Sequence, residues 1–388
     1  MVRVAMHLAA ETRSFGRAAV VMTYVLGHGL SAKSIERLTH QVGAELGEQR
    51  TSPSEAIQTK EVIVLEVAVV SCDGGRIHTR EPGHGPGVHG GKWRETKNAS
   101  FERMKAPQAC AADPCPALPE TFREVGHVAK IAEKAAFKVA CPAEERPPYE
   151  GPKRLLRTGV SSLAKSREFG PQMQHEAQRR RFFEAQKSVF IGDGLPWNWS
   201  IWRAYFPSFT PILDFIHAVQ YLYAAAQAWE PNDTRRWSRY LALAEAVWQG
   251  RTADVIEQLD AELTTRGAAV EPEPSADDPP EDDQPADGPH QPLIDAARYL
   301  RNNLARMDYP RYRREGLPIT SSPMESLIKQ VNQRVKGTEM FWNEPAGAEA
   351  ILQIRAASLC EDNRLDDYLC QRPGCPFTRR HPTLATAA

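Results

Sequence analysis

The spacing of apolar positions changes several times along the chain, and each change predicts an element. Phe15–Leu26 is an apolar-rich run ending at Gly27-His28-Gly29. From Ser31, the residues Ile35, Leu38, Val42 and Leu46 recur at the spacing of one helix face, with Ser31 as N-cap. Residues 15–48 are therefore expected to form two helices. They suit a helix-turn-helix with Lys33, Ser34 and Arg37 toward DNA, or equally an ordinary helical hairpin. Glu61–Val70 is almost continuously apolar and predicts a buried strand. Asp73-Gly74-Gly75 then predicts a turn, and Arg76–Arg80 a second strand. A further strand is expected at Lys92–Met104, helices at Thr121–Val139 and Phe169–Gln186, and a short strand at Lys187–Gly192.

The second half reads as a strand at Pro211–Leu213 and helices at Phe215–Trp229, Trp237–Gln249, Thr252–Arg266 and Leu293–Arg306. Trp229, Trp237 and Trp248 are expected as core fillers, and Arg235, Arg236 and Arg239 as a solvated basic face. From Pro318 to Gly337, Met324, Leu327, Ile328, Val331 and Val335 form a buried helical stripe. Glu325, Lys329, Asn332 and Lys336 fall together on its flank.

No apolar run approaches the roughly 18 residues of a membrane span, and the first residues, MVRVAMHLAAE, mix charge into their apolar stretch. A soluble protein without signal peptide is expected. Seven cysteines, none in a C-x-x-C pair, fit a reducing cytoplasm and give no zinc signature. The net charge of −1 hides a segregation. Residues 271–292 hold eight acids and seven prolines without Lys or Arg; the 49 acids less these eight leave 41 against 48 basic residues. Such a segment is expected to be a disordered linker, and the mildly basic remainder is compatible with a polyanionic partner.

Two apolar strands each deliver Asp-Gly at the carboxyl end, at Asp73 and Asp193. A carboxylate beside a core strand costs desolvation free energy unless something compensates it. Local turn bonding compensates one such residue. Two at strand ends point instead to a shared site, because α/β sheets place ligand groups there. Glu325 is a third candidate, although taken alone it reads first as an i, i+4 surface pair with Lys329.

The blocks "CDGGRIHTR", "FIGDGLPWNWSIWRAYFP", "ILDFIHAVQYLY" and "YRREGLPITSSPMESLIKQVNQRVKGTEMFW" resemble the successive core blocks of bacterial insertion-sequence transposases. The family is the ISKra-type DDE transposases, related to the Mutator-like transposases, and the likeness runs over about residues 30–370. It implies an α/β fold: an RNase H-like catalytic domain, a mixed sheet flanked by helices and interrupted by an all-helical insertion. It implies Asp73, Asp193 and Glu325 as catalytic metal ligands, with Asp214 and His217 as the accessory D-x-x-H block. Two Mg²⁺ ions about 3.5–4 Å apart, replaceable by Mn²⁺, would serve cleavage at element ends and strand transfer. Double-stranded DNA and a homo-oligomer are the implied partners, with Lys329, Asn332, Lys336, Arg76, Arg80, Lys33 and Arg37 as candidate DNA contacts.

The expected organisation is a helical N-terminal segment (1–58), a first catalytic part (59–229), the insertion (230–316) holding the linker 271–292, the Glu-bearing part (317–360) and a tail (361–388). Two departures from the family pattern stand out. Thr320-Ser321-Ser322-Pro323 replaces the usual glycine-rich turn, and the family's N-terminal cysteine-rich recognition module has no counterpart here. A catalytically silent DNA-binding remnant, or an RNase H-like nuclease without joining activity, are the alternatives.

Overall fold

The computed structural model describes residues 1–52, 65–80, 91–139, 150–268, 288–337 and 340–372. The strand expected from Glu61 thus has its first residues outside the described set, as do residues 271–287 of the acidic segment, while the end expected at Pro292 is corrected: a helix already begins at Gln291.

Five strands form one mixed sheet: β1 (Val67–Thr79), β2 (Lys92–Lys105), β3 (Lys153–Ser162), β4 (Lys187–Gly192) and β5 (Thr210–Leu213), in the order β3-β2-β1-β4-β5. β1 and β2 pair antiparallel, as do β2 and β3, whereas β1, β4 and β5 run parallel. The N-terminal helices are α1 (Val2–Glu11), α2 (Phe15–Leu26) and α3 (Ala32–Thr51). The sheet is interspersed with α4 (Val125–Ile131), α5 (Ser166–Arg179) and α6 (Pro196–Tyr205). After β5 come α7 (Phe215–Trp229), α8 (Asp233–Trp248), α9 (Thr252–Thr265), α10 (Gln291–Asn303), α11 (Tyr309–Arg314), α12 (Ser322–Val335), α13 (Pro345–Ser358) and α14 (Arg364–Gln371).

Several expectations hold to within a residue or two, including α2, β2, β4 and α7. Ser31 caps α3 by accepting from the Ser34 N–H at 3.1 Å. Trp237 and Trp248 are core residues of the α7–α10 region, while the Arg239 guanidinium covers the Trp229 ring at 4.3 Å.

Other expectations are corrected. The turn at Asp73-Gly74-Gly75 does not exist: β1 runs unbroken through it, because β2 pairs Asp73 with Asn98, Gly74 with Lys97 and Gly75 with Thr96. A Cβ at Gly75 would stand 2.6 Å from Thr96 Oγ1, so the glycine permits close strand contact rather than a turn. β3, "KRLLRTGVSS", has no alternating apolar signal, and pairing with β2 makes it a strand. The helix expected over Thr121–Val139 shrinks to a 3-10 turn and α4, with Glu133 at φ 51° just beyond. α5 stops at Arg179, and Arg181 at φ 60° takes the chain out of helix before Gln186. The first part of the expected tail is α14, whose Asp366 accepts from Arg3 of α1 at 2.5 Å.

α12 and α13 cover the sheet face that bears Gly75 and Ile77, since Ile77 packs with Met324, Leu327, Val331 and Ile351. On the opposite face, Cys72 meets α6 at Asn198. α3 crosses α13 so closely that a Cβ on Gly43 would lie 2.4 Å from the Ala350 carbonyl. Among the described residues no helix is long and apolar enough to cross a membrane.

Candidate active site

The parallel pairing ends level across the three strands, although β1 itself runs on: Cys72 of β1 pairs with Gly192 of β4, and Gly192 with Leu213 of β5. The next residue of each is an aspartate, Asp73, Asp193 and Asp214. Parallel neighbours lie about 4.8 Å apart, so one row of three carboxylates crosses the sheet where the parallel ladder stops.

Each aspartate has its own local compensation. The Asp73 Oδ1 accepts from the Gly74 N–H at 2.5 Å. Asp193, 9% exposed, accepts at Oδ1 from the Leu195 N–H at 2.9 Å and from the Asn198 side-chain amide, at the start of α6. Asp214 is fully buried and caps α7: its Oδ1 accepts from the Ile216 N–H at 2.9 Å, and its Oδ2 from the Ser321 hydroxyl. Carboxylates at helix starts gain from the orphan N–H groups and the positive end of the helix dipole. That gain is the folded chain's own answer to their burial.

The loop after Asp193 is held from a distance. Gly194 has φ +97°, and a Cβ there would lie 2.5 Å from the Tyr299 ring. The Tyr299 hydroxyl, on α10, donates to the Asp193 carbonyl at 2.6 Å. On the other side, Cys72 Sγ donates to Asn198 Oδ1 at 2.6 Å, which fixes the amide so that its nitrogen points at Asp193. The Oδ2 of Asp193 accepts no hydrogen bond among the described residues.

His217, one turn into α7, is the countercharge. Its Nε2 stands 3.9 Å from Asp214 Oδ2. Its Nδ1 is 3.1 Å from Gln220 Oε1, and Gln220 gives its own amide to the Ile131 carbonyl, so Nδ1–H is the donor. Burial would lower the His217 imidazole, but the charges of Asp214, Asp193 and Asp73 raise it above its ordinary value. Burial raises all three carboxyls. Asp193 reaches about 7, with the Asp73 charge as the next cause and His217 opposing. Asp73 and Asp214 rise for the same first reason and are likewise opposed by His217.

Glu325 lies in the first turn of α12, its side chain 34% exposed, with Lys329 Nζ at 3.2 Å. The i, i+4 pair that the sequence allowed is therefore formed. The Glu325 charge also bears on Asp73, less strongly than that of Asp214.

These residues fit a hard divalent cation. Oxygen donors predominate, the Asp73 charge raises the proton affinity of Asp193, those of Asp214 and Glu325 raise that of Asp73, and one oxygen of Asp193 accepts no hydrogen bond among the described residues. Among the described residues no three His, Cys, Asp or Glu side chains stand as a finished metal cluster, so a cation would have to draw the row together.

Four candidate DNA contacts come together. Lys33, Lys329, Asn332 and Lys336 line one groove of about 1950 Å³ between α2, α3, α12 and the start of α13, with Arg13 and His40. Arg37 and Arg76 are exposed elsewhere, and Arg80 borders the groove at Asn343, 3.4 Å away.

Sequence reasoning passed over Asn198, Tyr299 and Cys72 and took Ser321 only as a helix start. Asn198 carried a weak signal, five residues after Asp193 at a helix start, whereas Tyr299 is 106 residues away and carried none. No protein-family model matches the chain, and comparison with curated proteins finds no match.

Proposed function

We propose that the chain is a DDE-type transposase that cleaves DNA at the ends of a mobile element and joins them to target DNA. The observation that carries this reading is the level row of Asp73, Asp193 and Asp214 with His217 before it. Three carboxylates sharing one imidazole cation suit a polyanion's reaction centre only when divalent cations join them. The five-stranded mixed sheet is compatible with the RNase H-like fold that this reading requires, and residues 230–316 would be its helical insertion.

Asp73, Asp193 and Glu325 would hold Mg²⁺ or Mn²⁺, which when bound lowers the pKa of the attacking water or 3′-hydroxyl and stabilises the leaving oxygen. Asn198 and Tyr299 hold Asp193 in place from both sides. Asp214 keeps His217 charged and over the row, where its proton also attracts a phosphate oxygen. The groove cations Lys33, Lys329 and Lys336 face the DNA backbone and position it without reading its sequence. Two element ends must be held at once, so the working form is a homo-oligomer on double-stranded DNA, acting in the bacterial cytoplasm.

The test is cleavage and joining of DNA carrying the element's ends, with Mg²⁺ or Mn²⁺, in wild type, Asp193→Ala, Glu325→Gln and Asp214→Asn. Joined products that vanish in Asp193→Ala and Glu325→Gln support the proposal. Nicking without joining in wild type favours a nuclease, and binding without any product favours the silent remnant. Loss in Asp214→Asn but not Glu325→Gln would make Asp214 the third ligand.

A further inference from the structure

At the far end of the β1–β2 hairpin, two aromatic side chains are left in solvent: Trp93, 52% exposed, and Phe341, 38% exposed. Neither belongs to a hydrophobic core cluster. His78 joins them, stacked on Trp93 at 4.8 Å and edge-on to Phe341 at 6.5 Å. A cation accompanies each ring: Arg80 lies 3.6 Å from the Phe341 centroid and Lys336 Nζ 5.5 Å from that of Trp93. Main-chain bonds make the platform rigid, since Trp342 N–H donates to His78 at 2.9 Å and Arg80 N–H to Trp342 at 2.8 Å. Phe341 and Lys336 also line the groove, where Arg13, Lys33, Lys329, Arg334 and Lys336 outnumber Glu11, Glu36 and Glu344, so the platform continues it. His78 is five residues beyond Asp73, about 17 Å along the strand.

From this juxtaposition we propose that Trp93 and Phe341 form a stacking site for unpaired DNA bases at the end of the basic groove. Aromatic faces beside cations are what single-stranded nucleic acid requires, because every base offers a flat π surface and every nucleotide a charge. A fully paired duplex hides its base faces and gains nothing from the rings. The site therefore favours DNA whose strands are already opened or frayed. This inference rests on the proposed action on DNA.

The test uses the full chain and fluorescence anisotropy on three labelled probes: a blunt duplex, the same duplex with a single-stranded thymine tail, and oligothymidine. Wild type is expected to bind the tailed duplex more tightly than the blunt one. Trp93→Ala and Phe341→Ala should each weaken tailed-duplex binding by about 5-fold or more, as loss of one stacked base does, and leave the blunt duplex unchanged. Trp93→Phe should restore most of the loss. Melting temperatures equal to wild type exclude a folding defect; should either alanine variant melt early, Trp93→Phe against Trp93→Leu makes the comparison instead. Equal affinity of wild type for blunt and tailed duplex, or equal loss on both, overturns the stacking site while leaving action on DNA standing. No binding of wild type to any probe overturns the DNA reading itself.

Discussion

The phenol of Tyr299 donates to the main-chain carbonyl of Asp193 at 2.6 Å while its ring closes over Gly194. A helix more than a hundred residues downstream thus sets the loop that carries a central carboxylate. Tyr299→Phe removes one hydrogen bond to a buried carbonyl and should cost about 1–3 kcal/mol in denaturant unfolding. Gly194→Ala should cost more than Tyr299→Phe, because both the φ of +97° and the ring oppose a Cβ. A Gly194→Ala protein as stable as wild type would mean that the loop is not held as described.

The carboxylate row predicts stabilisation by divalent cations. Melting temperature should rise with Mg²⁺ or Mn²⁺, the gain in unfolding free energy following mass action to about 2.7 kcal/mol at a hundred times the dissociation constant. In Asp73→Asn/Asp193→Asn the rise should disappear, and the metal-free double variant should match or exceed wild type, since mutual repulsion is relieved. A cation effect unchanged in the double variant would place the binding elsewhere.

Asn198→Ala leaves the buried Cys72 thiol without its acceptor and Asp193 Oδ1 with the Leu195 N–H alone. Stability should fall by about 1–3 kcal/mol, and divalent-cation affinity should fall with it, because Asp193 is free to turn. Calorimetric titration with Mn²⁺ separates the two effects. An affinity equal to wild type would show that Asn198 supports the fold alone.

Glu102 of β2 supplies a pH dependence remote from the row. Burial raises its carboxyl from 4.5 to about 7, with Ser100, Arg154 and Arg157 opposing and Glu361 adding. Below pH 4.5 it is protonated in both folded and unfolded chains. Between pH 4.5 and 7 only the folded chain keeps the proton, so raising the pH through this window removes stability, by at most about 3 kcal/mol. Glu102→Gln should reduce that slope to the share left by Asp193, whose carboxyl also reaches about 7, and be the more stable protein at pH 8. Urea midpoints across pH 5–8 check it, and a wild type that gains stability over this range contradicts the assignment.

Local periodicity determined a good share of the protein. The helix Phe215–Trp229, the strand Lys187–Gly192 and the cap at Ser31 follow from spacing and capping chemistry within a few residues, and the structure keeps them. Asp73 and Asp193 were readable from their positions after short apolar runs, whereas Asp214 and His217 entered the sequence reading only through the family resemblance. Their arrangement was not. Asp73 sits inside a long strand because β2 continues past the point where β4 stops, and pairing register is a relation between segments far apart in sequence. β3, whose own residues show no strand pattern, owes its conformation to β2. Asn198, Tyr299 and the Trp93–Phe341 platform belong to the same class: hydrogen bonds and ring contacts across the fold depend on close packing, and no local pattern of polar and apolar residues encodes it.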